Sequence, residues 1–212
     1  MSHGFFLNME PILNTAINDN ISKLRDDLVI SEPDDFEQLN LDALVYNFQY
    51  GSIACILMAT LYETVINTII TSKLKYNDED VLKASSNVKI QIICHDYGFE
   101  FATLKSDNSY GVVKEIIKLR NDIVHYKTNM LYEGVIPWAD MTKPEFTSKK
   151  PLAYSFAKST MQKYFTELNK FINLLCDKCD LKVNEYCQII ECDGRNGIVD
   201  YIINKTDDYL ED

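Results

Sequence analysis

At 212 residues with a net charge of −11, the chain is long enough for one sizeable domain and too short to make two large ones. Hydrophobic residues make up 46% and only 7 Gly and 5 Pro interrupt them, a balance that favours a compact helical protein over one of strands and tight turns. No apolar run reads as long and uncharged enough to span a bilayer, and the N-terminus lacks a basic stretch followed by an apolar core and a cleavage site, so a cytoplasmic protein is expected.

Residues 1–10 show no periodicity. From Pro11, a residue tolerated in the first helical turn, Ile12, Ile17, Ile21, Leu24 and Leu28 predict a helix ending before Ser31-Glu32-Pro33. Glu32 to Asp35 form a turn, and Leu39 to Tyr50 predict a shorter helix, either interrupted at Gly51 or joined there to the next one. A long helix from about Ser52 to Leu74 is apolar on most of its circumference and so takes a central position. Glu63 and Asn67, four apart, are polar groups on a face expected to be buried. Asn77-Asp78 caps a helix through Val81, Leu82, Val88, Ile92 and Ile93 that Gly98 terminates, with Ser85-Ser86-Asn87 as a point where it can split.

After a polar link from Lys105 to Ser109, Val112, Ile116, Leu119 and Ile123 recur at helical spacing beside a second row of Val113, Ile117 and Val124. Asn108 or Ser109 is placed to cap this helix, whose polar face collects Lys114, Lys118, Asn121, Asp122 and His125. Arg120 breaks the pattern by falling between Ile117 and Val124, where a permanently charged guanidinium needs an anion, a carboxylate or a wet interface. Residues 130–151, with Pro137, Trp138, Pro144 and Pro151, form a long loop after His125. There Tyr132 or Trp138 either stacks on a base or, for Trp138, plugs the end of the helices. Leu152 to Cys176 returns to helical periodicity through Phe156, Met161, Phe165, Leu168, Phe171, Ile172 and Leu175. Beyond it, Tyr186 to Ile190 and Ile198 to Ile203 flank a turn at Asp193 to Gly197, readable as a short hairpin or, preferably, as a helix after Gly197. Cys176, Cys179, Cys187 and Cys192 are close enough in sequence to clasp a zinc ion, but the loose second spacing and the apolar neighbours favour free thiols.

The expectation is therefore an all-α protein in three parts: an N-terminal helical extension over 1–50, an antiparallel helical bundle over 51–178, and a short C-terminal appendage over 179–212 within the same compact unit. Charge is uneven. Residues 1–50 carry 2 basic and 9 acidic side chains, residues 51–150 carry 12 of each, and residues 151–212 carry 7 and 11. The acidic balance argues against a general polyanion binder, while the neutral middle with its row of lysines leaves local RNA binding open.

Arg120-Asn121-Asp122-Ile123-Val124-His125, at the end of an amphipathic helix, resembles the Arg-x4-6-His signature of the HEPN superfamily, and the apolar run interrupted by Glu63 resembles the first core helix of such domains. The resemblance covers roughly residues 50–178. It implies a HEPN-like helical bundle that often acts as a metal-independent endoribonuclease, with an active site built across a homodimer and a 2′,3′-cyclic phosphate product. It assigns Arg120 to stabilising the phosphorane, His125 to proton transfer and Asn121 to positioning, with no metal and no cofactor. Glu63, Asp122 and Tyr126 are supporting residues, and Lys114, Lys118 and Lys127 are RNA-binding candidates. Glu63 either orients Arg120 or forms a structural pair with it. On one helix Arg120 and His125 project about 140° apart, so two copies around a two-fold axis serve one phosphate better than one copy does. The functional expectation is a toxin-like or antiviral effector acting on RNA, with an inhibitory or regulatory protein as a further partner. The alternative is a non-catalytic module of the same fold that dimerises or binds a nucleotide or partner.

Overall fold

The computed structural model describes residues 9–27, 29–31, 37–39, 41–124, 155–183 and 189–191. They are predominantly helical. Helix α1 (Met9–Ser22) is followed by a ribbon of β1 (Val29–Ser31) and β2 (Glu37–Leu39), then by the long helix α2 (Leu41–Thr68), which ends in a π-helical turn over Ile69–Lys73. Three short-linked helices come next, α3 (Glu79–Lys83), α4 (Ser86–Asp96) and α5 (Phe101–Lys105), before the motif helix α6 (Asn108–Val124). Helix α7 (Lys158–Lys178) leads into a second ribbon of β3 (Leu181–Val183) and β4 (Ile189–Glu191). Both ribbons are antiparallel, with Val29 opposite Leu39 and Leu181 opposite Glu191. They are the one departure from the all-α expectation, and at three residues a strand they add no sheet layer.

Named contacts give the helix directions. Thr68 donates to Glu10 at one end of the α1–α2 pair, and Asn47 clasps the Arg25 backbone at the other, so α1 runs antiparallel to α2. The Cys55 thiol lies on the Ile116 carbonyl while Tyr62 is in the field of Tyr110, which makes α6 antiparallel to α2 as well. Helix α7 follows α2, since Phe156 meets Phe48 and Phe171 meets Tyr62. Four helices thus alternate around one apolar cluster to which α1 contributes Leu13, Ile17 and Ile21, α2 contributes Met58, Leu61 and Val65, α6 contributes Val113 and Ile116, and α7 contributes Leu168, Phe171 and Leu175.

The expected boundary at residue 50 falls inside α2. Helix α2 passes through Gly51 without a break because the Phe156 ring sits against that glycine, with Phe156 Cβ and Cδ1 2.6 Å from where a Cβ would stand. Helix α1 is accordingly part of the core rather than an extension. Its inner row runs through Glu10, Leu13, Ile17, Ile21 and Leu24, with Ile12 facing outward. The split expected at Ser85 is present: Asp78 caps α3 and Ser85 caps α4, each by accepting a backbone N–H. Gly98, at φ 72°, ends α4 as expected of a left-handed residue.

One expectation about apolar runs needs correction, since Asp42–Lys73 is long and apolar enough to cross a membrane, with mean hydropathy 1.8 in its most apolar window. Burial explains that composition: 56% of the window is covered by other parts of the fold. Of the four clustered cysteines, Cys176 and Cys179 are buried at the end of α7, with Cys94 of α4 near Cys179, while Cys187 and Cys192 lie outside the described residues. Burial pushes the Cys179 thiol up to about 12. Among the described residues, no group of three or more His, Cys, Asp or Glu side chains is arranged to hold a metal ion.

Candidate functional site

Helix α6 begins at a cap one residue upstream of the expected Asn108 and two upstream of Ser109: the Asp107 carboxylate accepts both the Ser109 backbone N–H, at 2.8 Å, and the Ser109 hydroxyl. Those two bonds hold the Asp107 carboxyl below the usual range. The buried stripe of α6 is Ser109, Val113, Ile116 and Leu119, with Ile123 partly buried beyond it. Arg120 lies on the shoulder of that stripe. It is half-buried, and the next member of its row, Val124, is 53% exposed, so the row read as apolar is the edge of the interface with α2.

Arg120 Nη1 donates to Asn121 Oδ1 at 3.0 Å. Its guanidinium is also in the field of Cys55 on α2, where burial pushes the thiol up to about 12 and the nearby positive charge opposes that rise. Among the described residues no ion pair joins Arg120 to Glu63. The expected pairing is therefore replaced by one between neighbours within the motif. Geometry gives the reason: Cys55 and Ile116 set the level at which α2 and α6 touch, and Glu63 stands about two turns of α2 further on, toward the start of α6 and away from Arg120.

Glu63 instead lines a groove of about 600 Å³ between α2, the start of α4 and α6. Tyr62, Ser85, Ser86 and Asn87 share that groove with Lys114, Ile117, Lys118, Asn121 and Asp122 of α6. The structure thus gathers Glu63, Lys114, Lys118, Asn121 and Asp122 from the expected site into one surface, with Arg120 at its edge. Glu63 is half-buried rather than buried. Asn67, also expected inside, is exposed and accepts from Lys89 Nζ at 2.8 Å. Lys89, 8% exposed, is the buried cation of this region, and an amide rather than a carboxylate meets it.

His125, Tyr126 and Lys127 lie outside the described residues, as do Tyr132 and Trp138 of the 130–151 loop. His95 is exposed and bonds Asp96 at 2.9 Å, away from the groove. Sequence reasoning missed Tyr62 and Asn87 as groove residues. For Asn87 a signal existed, because a Ser-Ser-Asn helix break turns small polar groups toward whatever packs beside it; for Tyr62, in an apolar run, there was none. Tyr110 closes the floor, its hydroxyl donating to Asn87 Oδ1 at 3.0 Å and its ring packing on Phe171. No family model, curated protein or solved structure matches the chain.

Proposed function

We propose that the protein is a metal-independent endoribonuclease with a HEPN-like bundle, whose Arg120 and His125 act on one phosphodiester in a cleft shared by two copies of the chain. The observation that carries this reading is Arg120 itself: a half-buried guanidinium on the last turns of α6, bonded to the amide of Asn121 and to no carboxylate among the described residues. Cleavage of RNA without a metal needs the 2′-hydroxyl deprotonated, the phosphorane neutralised and the 5′-oxygen protonated. A histidine serves the proton transfers and an arginine fork serves the phosphorane. Asn121 holds the fork in register, and Lys114 and Lys118 supply charge along the same helix.

The homodimer is supported by an apolar side chain left uncovered at the end of the motif helix. Val124 is 53% exposed. A toxin-like or antiviral effector in the cytoplasm, held in check by a regulatory protein, is the biological role that fits an RNA-cleaving domain of this kind. The net charge of −11 favours a second reading, a non-catalytic module that dimerises or binds a nucleotide or partner through the same surface.

The test is incubation of the purified protein with labelled RNA in EDTA, beside His125→Ala and Arg120→Ala. The nuclease reading expects cleavage with a 2′,3′-cyclic phosphate end, a loss of roughly a hundredfold or more in each variant, and poor rescue by Arg120→Lys. Dependence on added metal, or equal cutting of DNA, would refute the mechanism. Intact RNA from every substrate tried would establish the binding module in its place.

A further inference from the structure

We infer that the groove between α2, the start of α4 and α6 is a base-reading subsite that holds a guanine of single-stranded RNA beside the motif, with Glu63 as its specificity-determining residue. The inference rests on the ribonuclease reading only in taking the ligand to be RNA. At about 600 Å³ the groove has room for one nucleotide with its hydration, and the half-buried Ile117 supplies apolar surface for a base. Asn121 belongs both to this groove and to the motif, bonding Arg120 at 3.0 Å, so the groove that holds the base runs up to the motif and a strand seated in it leads toward Arg120.

The polar groups of the groove select the base. A carboxylate accepts hydrogen bonds and donates none, and among the described residues no ion pair engages Glu63. Guanine alone of the four bases presents two adjacent donors, N1–H and the N2 amine, on one edge to match two carboxylate oxygens. Adenine and cytosine place a ring acceptor beside their amine, and uracil sets its single N–H between two carbonyls, so each would bring an acceptor against the second oxygen. Asn87 complements this choice. Its Oδ1 is committed to the Tyr110 hydroxyl at 3.0 Å, which leaves the amide nitrogen to donate toward guanine O6.

The strand has a path in and out. Lys114 and Lys118 stand four residues apart on α6, about 5–6 Å between Cβ atoms, and are placed to follow the backbone on either side of the base. A second groove of about 570 Å³ shares Asn87, Tyr110 and Lys114 with the first and carries Lys105 and Gln91, so the polar surface continues away from the motif along α6.

The experiment uses full-length His125→Ala protein in EDTA, so that binding is read without cleavage, and fluorescence anisotropy with a short labelled oligouridylate carrying one guanosine, inosine or adenosine. Inosine keeps every group of guanosine except the N2 amine. The guanosine strand is expected to bind about tenfold more tightly than the inosine strand, and Glu63→Gln is expected to bring that ratio close to one. Because the ratio is taken within each protein, a general loss of affinity or of folded fraction in Glu63→Gln cancels. Equal binding of guanosine and inosine strands, or a ratio unchanged in Glu63→Gln, would overturn the subsite. Wild-type cleavage of RNA without guanine preference overturns this inference and leaves the nuclease reading standing, whereas guanine-selective binding by a protein that cleaves nothing does the reverse.

Discussion

Replacing Gly51 with alanine separates local helix propensity from tertiary packing. In an isolated helix the change would stabilise by about 1 kcal/mol. Here the new Cβ would stand 2.6 Å from Phe156 Cβ and Cδ1, far inside the carbon–carbon optimum of about 3.5–4.0 Å. Phe156 is fully buried and meets Phe48 edge-on, so its ring has no open side to retreat into. Overpacking of this kind costs about 1–3 kcal/mol, and with the clash so short the upper half of that range applies. Set against the propensity gain, a net loss of about 1–2 kcal/mol is expected. In urea titrations followed by circular dichroism, a slope of about 2 kcal/mol/M converts that loss into a fall of about 0.7 M in the midpoint. In a Phe156→Ala background, which removes the Cγ and Cδ1 contacts and leaves only Cβ, the penalty should shrink by about 1 kcal/mol, a coupling that a double-mutant cycle reads directly. If Gly51→Ala is stabilising in the wild-type background, α7 does not begin against α2 and the helix directions given above lose one of their anchors.

Three further outcomes follow from the same contacts. Asn47→Ala strands the Arg25 backbone N–H that Asn47 now satisfies at 2.9 Å and leaves the Arg25 C=O only the Lys158 N–H at 3.3 Å, and should cost about 1–3 kcal/mol in urea unfolding; a change within error would mean that water replaces the amide. Asp107→Ala should lower Tm at neutral pH, and because the folded carboxyl is held below its unfolded value, the difference from wild type should persist above the unfolded pKa and vanish as pH falls through the folded one; a difference independent of pH would remove the charge from the explanation. Cys55 and Cys179, with thiols pushed up to about 12, should resist iodoacetamide at pH 8 in native protein and react on denaturation, as peptide mapping by mass spectrometry would record; fast native labelling would contradict their burial.

What could be read in advance followed how local its cause was. The motif helix was legible because Ile116 and Leu119 repeat at a period that only one fold of the backbone satisfies, and the α3–α4 break was legible because Ser85 both caps and interrupts. Its cap was misplaced by one or two residues, since Ser106, Asp107, Asn108 and Ser109 are all competent and tertiary packing chooses among them. The junction at Gly51 depended on Phe156, more than a hundred residues away, and Asn47 was invisible as a buried clasp because its partner is a backbone segment that carries no side-chain signal. Glu63 was picked out correctly as an unusual residue in an apolar run. Its direction was not legible, because the 3.6-residue period places it on the shoulder between α6 and α4 only once those two helices are docked.

Under the proposed ribonuclease reading, the same placement bears on how an acidic chain would hold RNA. Arg120 spends one of its five N–H groups on a neutral amide and keeps its charge uncompensated by any carboxylate among the described residues, while Glu63 is turned to the groove. At physiological salt a charge is screened beyond about 8 Å. Local lysines, not the sum over the chain, should therefore set the electrostatics of binding. Each phosphate contact made by a lysine contributes about 0.7 to the slope of log affinity against log salt for a single strand. Lys118→Ala should reduce that slope by about this amount in the His125→Ala protein, whereas Asp19→Asn, which removes an exposed negative charge from α1, should leave it unchanged. If Asp19→Asn shifts the salt dependence as much as Lys118→Ala does, the field of the whole molecule governs binding, and the lysines of α6 lose their claim to be an RNA path.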